Sequence, residues 1–150
     1  MKTIGRIDKA DFPELHLKNI QLKVDTGAYT SSIHSHDIKE VEEDGVKYIE
    51  FKLLDPSHQK YNHKAFKVHN YKEKAVKSSF GSVEDRFVIK TNILIFEQEY
   101  PIELSLSERS NMKYPILLGR KFLSEKFVVD TSLKNISFRV KQEKIKKKKH

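Results

Sequence analysis

A mostly β, single-domain fold with one short helix near the C-terminus is predicted by three features of this sequence. Apolar residues recur at every second position through several segments, the alternation expected of half-buried strands. Turn signals such as Asp44-Gly45 separate those segments, and few stretches carry the period of a long amphipathic helix. One apolar run, Ile116-Leu117-Leu118, leads directly into "GRKFLSE" (119–125), which reads as a short helix. At 150 residues the chain is large enough to bury one core.

Taken in order, "ELHLKNIQLKVD" alternates in two halves. Leu15 and Leu17 share one phase, Ile20, Leu22 and Val24 the other, and Lys18-Asn19 marks a bulge or turn where the phase changes. "IKEVEEDGVKYIEFKLLD" is a hairpin around Asp44-Gly45, with Ile49, Phe51 and Leu53 on one face. "RFVIKTNILIF" and "EYPIELSLSE" form a second pair, joined through Glu97-Gln98-Glu99. Residues 60–77 are polar and basic and read as a long surface excursion. No internal repeat divides the chain, so one domain is expected over 1–140, followed by a disordered basic tail over 141–150.

That tail distorts the charge balance. The chain carries a net +8, but the last ten residues hold six lysines and one glutamate, which leaves only +3 for the domain. A terminal lysine run is ordinarily a solvated tail, so no specific nucleic-acid partner is expected. No apolar stretch approaches the roughly 18 residues of a spanning helix, and residues 1–12 lack the apolar core of a signal peptide. The absence of cysteine rules out disulfides and thiolate metal sites and agrees with a cytoplasmic location.

The chemistry centres on "KVDTGA". An alternating strand ends at Val24 and delivers Asp25 to a loop in which Gly27 lets the backbone bend close to a neighbour and Thr26 offers a hydroxyl. Such a carboxylate serves as a general base toward water if a second acid stands beside it. Two close carboxylates share one proton, so one accepts while the other donates. By itself the tripeptide is also an ordinary turn. A second element, "YPILLGRKFLSEKFVVD", lies about ninety residues further on.

With both elements in view, the chain resembles the bacterial retropepsin-like proteins labelled ATP-dependent zinc proteases, which are associated with a RimK-type ATP-grasp glutamate ligase. The matching stretches are "KVDTGAYTSSIHS", "VKSSFGSVEDRFVIKT", "IELSLSERSNMKYPILLGRKFL" and "FVVD", covering most of residues 20–130. The resemblance implies a single-lobe retropepsin-like (acid protease) closed β-barrel in which the Ile116–Leu118 strand passes the Asp25 loop and Arg120 ties the helix back. It implies catalytic roles for Asp25, Thr26 and Gly27, substrate contact at Ala28, and "EVEEDGVKYIE" as a covering flap. With one such triplet per chain, the second aspartate must come from a homodimer partner. "VVDTS" at Asp130 lacks the glycine and is read as a turn.

The family label raises zinc and ATP. The sequence has neither a phosphate-binding G-x-x-x-x-G-K-[ST] loop nor an H-E-x-x-H helix, so ATP belongs with a partner ligase. The aspartic reading requires no cofactor. His34 and His36, two apart on a strand, are the candidate zinc ligands; the alternative makes them polar surface residues, or gives His34 an orienting role. Arg86 and Arg109 suit carboxylate binding, or else pair with Glu84 and Glu108. The expected function is therefore hydrolysis of peptide or isopeptide bonds, with glutamate-rich tails as substrates. The alternatives are a non-catalytic accessory module of a glutamate ligase system and a metal-dependent amidohydrolase.

Overall fold

The computed structural model describes residues 1–54, 56–77, 80–108 and 113–148. The chain begins with β1 (Lys2–Ile4), β2 (Ile7–Phe12) and β3 (Leu17–Val24), followed by the hairpin β4 (Ser31–Glu43) and β5 (Val46–Leu53). Next come β6 (Phe66–Val68), β7 (Tyr71–Lys77), β8 (Val83–Ile95), β9 (Gln98–Ser107) and β10 (Ile116–Leu118). The C-terminal part is α1 (Arg120–Leu123), β11 (Phe127–Val129) and α2 (Ile136–Lys148).

Six strands close into a ring. Pairing runs from β10 to β3, β2, β8, β9 and β4, and β10 pairs with β4 as well, so the circuit returns to its start. The expected mostly β domain is therefore present, with its strands closed on themselves. Inward residues fill the ring: Phe12, Ile20, Leu22, Ile33, Ile89, Ile93, Leu104, Ile116 and Leu118 are fully or almost fully buried. Each contributes on the order of 1.5–3 kcal/mol of transfer free energy. β5 and β6 extend the sheet beyond the ring, β7 adds to the outer edge of β8, and β1 pairs in parallel with β11.

The phase change in β3 falls where the alternation breaks. Asn19 has a positive φ of 52° and donates its N–H to Asp11 Oδ1 at 2.7 Å, while the β2–β3 register shifts between Ala10 and Phe12. The Asp44-Gly45 turn forms as read, with positive φ at both residues, the geometry whose twist suits a two-residue hairpin. The β8–β9 turn sits one residue earlier than expected, at Phe96-Glu97, both with positive φ. Phe96 tolerates that strained position because its ring packs on Phe127 at 5.5 Å and its N–H donates to Ser137 Oγ at 2.8 Å.

Two segments differ from expectation. The 60–77 excursion contains β6 and β7, drawn in by Phe66 stacking on Phe51 and by the buried Val76. Residues 141–148, expected as disordered tail, instead continue α2. Asp8, itself buried on β2, accepts hydrogen bonds from the Ser137 and Phe138 N–H groups at 3.0 and 3.1 Å, capping the helix from a strand 130 residues away. Lys141 Nζ then bonds Asp11 and Asn19, and Lys144 bonds Glu97. The Asp8 carboxyl is raised above its ordinary value, because burial outweighs the helix N–H bonds and Arg139 that favour its charged form.

Candidate active site

Asp25 lies immediately after β3, at the point where β10 is inserted between β3 and β4. Leu118 pairs in parallel with Val24, and Ile116 pairs antiparallel with Ile33. The loop between those strands is held first by backbone partners of fixed geometry. Asp25 N–H donates to the Leu118 carbonyl at 2.9 Å, and the α1 amides of Arg120 and Lys121 donate to the Ala28 and Tyr29 carbonyls, each at 2.9 Å. Within the loop, Gly27 N–H donates to Asp25 Oδ1 at 3.0 Å, which fixes the carboxylate plane. Asp25 is half-buried, Thr26 and Gly27 are exposed, and Ala28 packs inward. Two further bonds complete the clamp: Arg120 Nη1 to the Thr26 carbonyl at 2.9 Å, and Gly119 N–H to Ser31 Oγ at 3.0 Å.

Gly119 is required by this close approach. A Cβ there would stand 2.5 Å from the Tyr29 carbonyl oxygen and 2.8 Å from its carbon, both backbone atoms. The arrangement is a strand-end carboxylate, accessible to solvent, on a loop braced from behind by a second strand and a short helix. Such a loop can present one acid to water; it needs a second acid from elsewhere to run proton exchange at a peptide carbonyl.

Residues 3–140 match the family model described as "RimB-like: Retropepsin-like aspartic endopeptidase RimB". This chain belongs to the RimB-like retropepsin family. It is 33% identical over 132 residues to a protein of Desulfotalea psychrophila named "Probable alpha-L-glutamate ligase". A protein of Shewanella halifaxensis with the same name is 33% identical over 129 residues. The alignments take in 88% and 86% of this RimB-like chain but only 28% of each relative, so the chain spans little more than a quarter of their length. Among solved structures, Lpg0085 of Legionella pneumophila, a protein of unknown function, superposes with a TM-score of 0.71 at 25% identity. That match covers 91% of this chain and 98% of the other.

The remaining expected site residues of this RimB-like domain are spread more widely. Arg86 lies on β8 with its side chain only 10% exposed and bonded to Glu84 at 2.6 Å; no described hydrogen bond connects it to the Asp25 loop. Arg109 lies outside the described residues. His34 and His36 are on β4, six and eight residues beyond Ala28. His34 is 6% exposed and opposite Ser107 in register, and His36 stacks on Tyr61 at 5.8 Å. Among the described residues no group of three or more His, Cys, Asp or Glu side chains is arranged to hold a metal ion. The donors described on one chain therefore do not fit the zinc of the family label. Asp130 forms the turn expected of it, accepting from the Ser132 N–H at 2.9 Å and from its hydroxyl at 2.6 Å.

The β4–β5 hairpin expected as a flap is tied on its outer side. β6 pairs with it over residues 49–51, Tyr71 Oη donates to Glu40 at 2.7 Å, and Lys67 bonds Glu43. Ser31 and Tyr29, which hold the loop against α1, carry no mark in the sequence. Their role depends on what approaches them in space, and the spacing of small residues after Gly27 is the only hint of it.

Proposed function

We propose that this domain is an aspartic-type hydrolase whose two Asp25 carboxylates meet across the two-fold axis of a homodimer and cleave peptide or isopeptide bonds in glutamate-rich chains. The observation that carries this reading is the clamped, outward-facing Asp25 loop: Thr26 and Gly27 are exposed and Tyr29 is 54% exposed, a surface suited to a second copy. With two carboxylates in contact, one proton is shared between them. The ionised member takes a proton from water as its oxygen attacks the carbonyl carbon, and the protonated member donates to the carbonyl oxygen. Collapse of the tetrahedral adduct breaks the C–N bond: the amine leaves with the proton the first carboxylate took from water, and the adduct's hydroxyl returns a proton to the second as the carbonyl re-forms.

Glutamate-rich substrates are favoured because relatives of this chain are named alpha-L-glutamate ligases. A hydrolase working against glutamate addition would act on the same chain ends. The test is incubation with a glutamate-tailed peptide followed by mass spectrometry, alongside sedimentation analysis. Shortened peptides from the wild type, none from Asp25→Asn, and a dimer in solution are expected. A strictly monomeric protein that still cleaves would remove the paired-aspartate mechanism.

A second reading is a non-catalytic accessory module of a glutamate ligase system. It is favoured by the alignment of this domain to about a quarter of each ligase-named relative. Under that reading Asp25→Asn leaves every effect on a partner ligase unchanged. Among the described residues no helix is long and apolar enough to cross a membrane.

A further inference from the structure

We propose that the lysine cluster around Glu103 is an anion site, an exosite that holds an acidic peptide segment beside the Asp25 loop. Three ammonium groups converge on one carboxylate: Lys121 Nζ at 2.7 Å, Lys72 Nζ at 3.1 Å and Lys74 Nζ at 3.2 Å from Glu103 oxygens. They come from α1 and β7, far apart in sequence, and all three remain 37–42% exposed while Glu103 is only 15% exposed. Lys90 lies directly opposite Glu103 in the β8–β9 register. With Lys126 it lines an adjoining cavity of about 250 Å³ that also touches Lys121 and Ser31. Three lysines thus bond a single carboxylate, and two more, Lys90 and Lys126, line the cavity beside it.

The excess of positive charge is felt within the cluster. Lys72 and Lys74, two apart on β7, and Lys121 share the one Glu103 carboxylate, three positive charges to one negative. An incoming carboxylate relieves this repulsion, and Glu103 already shows that the lysines can close around one. A peptide fits better than a nucleic acid. Phe122, the aromatic residue of the cavity lining, is itself buried and offers no open ring face for a base. The cavity is also coupled to the site already described: the Lys121 N–H holds the Tyr29 carbonyl, and Ser31 Oγ accepts from Gly119. An acidic stretch held here leads the neighbouring residues of its chain toward Asp25. The choice of occupant rests on the hydrolase reading; the anion site itself does not.

The experiment measures binding of fluorescein-labelled octaglutamate by anisotropy at low salt, in the full chain carrying Asp25→Asn so that the probe survives. Combined Lys72→Gln, Lys74→Gln and Lys121→Gln is expected to weaken binding about tenfold or more. Glu103→Gln, which removes the internal competitor, is expected to tighten it. Lys146→Gln, Lys147→Gln and Lys148→Gln together remove the same charge from α2 and are expected to weaken binding far less. Equal weakening by the two triple variants, weaker binding by Glu103→Gln, or tighter binding of a single-stranded oligonucleotide through the same lysines would overturn the proposal. If the Lys72/Lys74/Lys121 variant, with Asp25 intact, cleaves a glutamate-tailed peptide at an undiminished kcat/KM, the exosite fails while Asp25-dependent hydrolysis stands. Loss of hydrolysis in every form with octaglutamate binding preserved has the opposite meaning.

Discussion

Arg120 Nη1 donates to the Thr26 carbonyl oxygen at 2.9 Å, so the first residue of α1 holds the peptide between Thr26 and Gly27. The same guanidinium lies 5.8 Å from the centre of the Tyr29 ring. One side chain thus fixes the loop both before and after Gly27.

Replacing Arg120 with alanine removes a charge-assisted bond on an exposed surface and is expected to lower unfolding free energy by about 1 kcal/mol. Cleavage of a glutamate-tailed peptide should fall much further, because Asp25 then sits on a loosened loop. Urea unfolding and steady-state kinetics on the same preparation separate the two effects. Arg120→Lys keeps the charge without the planar fork and should restore stability better than activity.

Gly119→Ala drives a methyl group into the Tyr29 carbonyl, 2.5 Å from the oxygen. The obstacle is backbone on both sides, so the cost is expected to be about 2 kcal/mol or more, read from the urea midpoint. The Asp25 loop must shift to accommodate it, and hydrolysis should be lost even where the fold survives.

Asp8 caps α2, and Asp8→Ala leaves the Ser137 and Phe138 amides without their acceptor. A loss of about 2 kcal/mol is expected, with helical signal lost from α2 before the sheet melts. Because burial raises the Asp8 carboxyl above its ordinary 3.8, the folded chain holds that proton to higher pH than the unfolded chain. This group's contribution is therefore fullest below 3.8 and declines as pH rises through the raised value. Asp8→Asn should lack that decline, which thermal melts taken across the window will show.

Glu103 has the opposite sign. Burial pushes its carboxyl up, but the bonds from Lys121, Lys72 and Lys74 outweigh burial and hold it down to about 2, against an ordinary 4.5. Its contribution is present in full above 4.5 and is lost as pH falls from there toward 2. Glu103→Gln should flatten this part of the acid limb in Tm measured against pH.

The parts of this molecule legible in the sequence are those that depend on near neighbours. Alternation in residues 17–24 and 46–53 marks strands because one face of each is buried, and Asp44-Gly45 marks its own turn. The Asp25 loop and its brace were legible as a pair of motifs even though 94 residues separate Thr26 from Arg120. What escaped depends on distant partners. α2 reads as a lysine tail because its cap, Asp8, and its anchor, Asp11, belong to β2. The lysine cluster is invisible for the same reason, since Lys74, Glu103 and Lys121 belong to three different elements.

Three residues, Ile116 to Leu118, both close the ring and support Asp25, and they follow β3 and β4 in the chain with β5 to β9 between. During synthesis, β3 and β4 emerge long before the strand that must lie between them. Closing so long a loop costs entropy before any pairing repays it. A nascent chain that has already delivered Asp25 therefore lacks the brace behind its loop until Leu118 and Arg120 have been made.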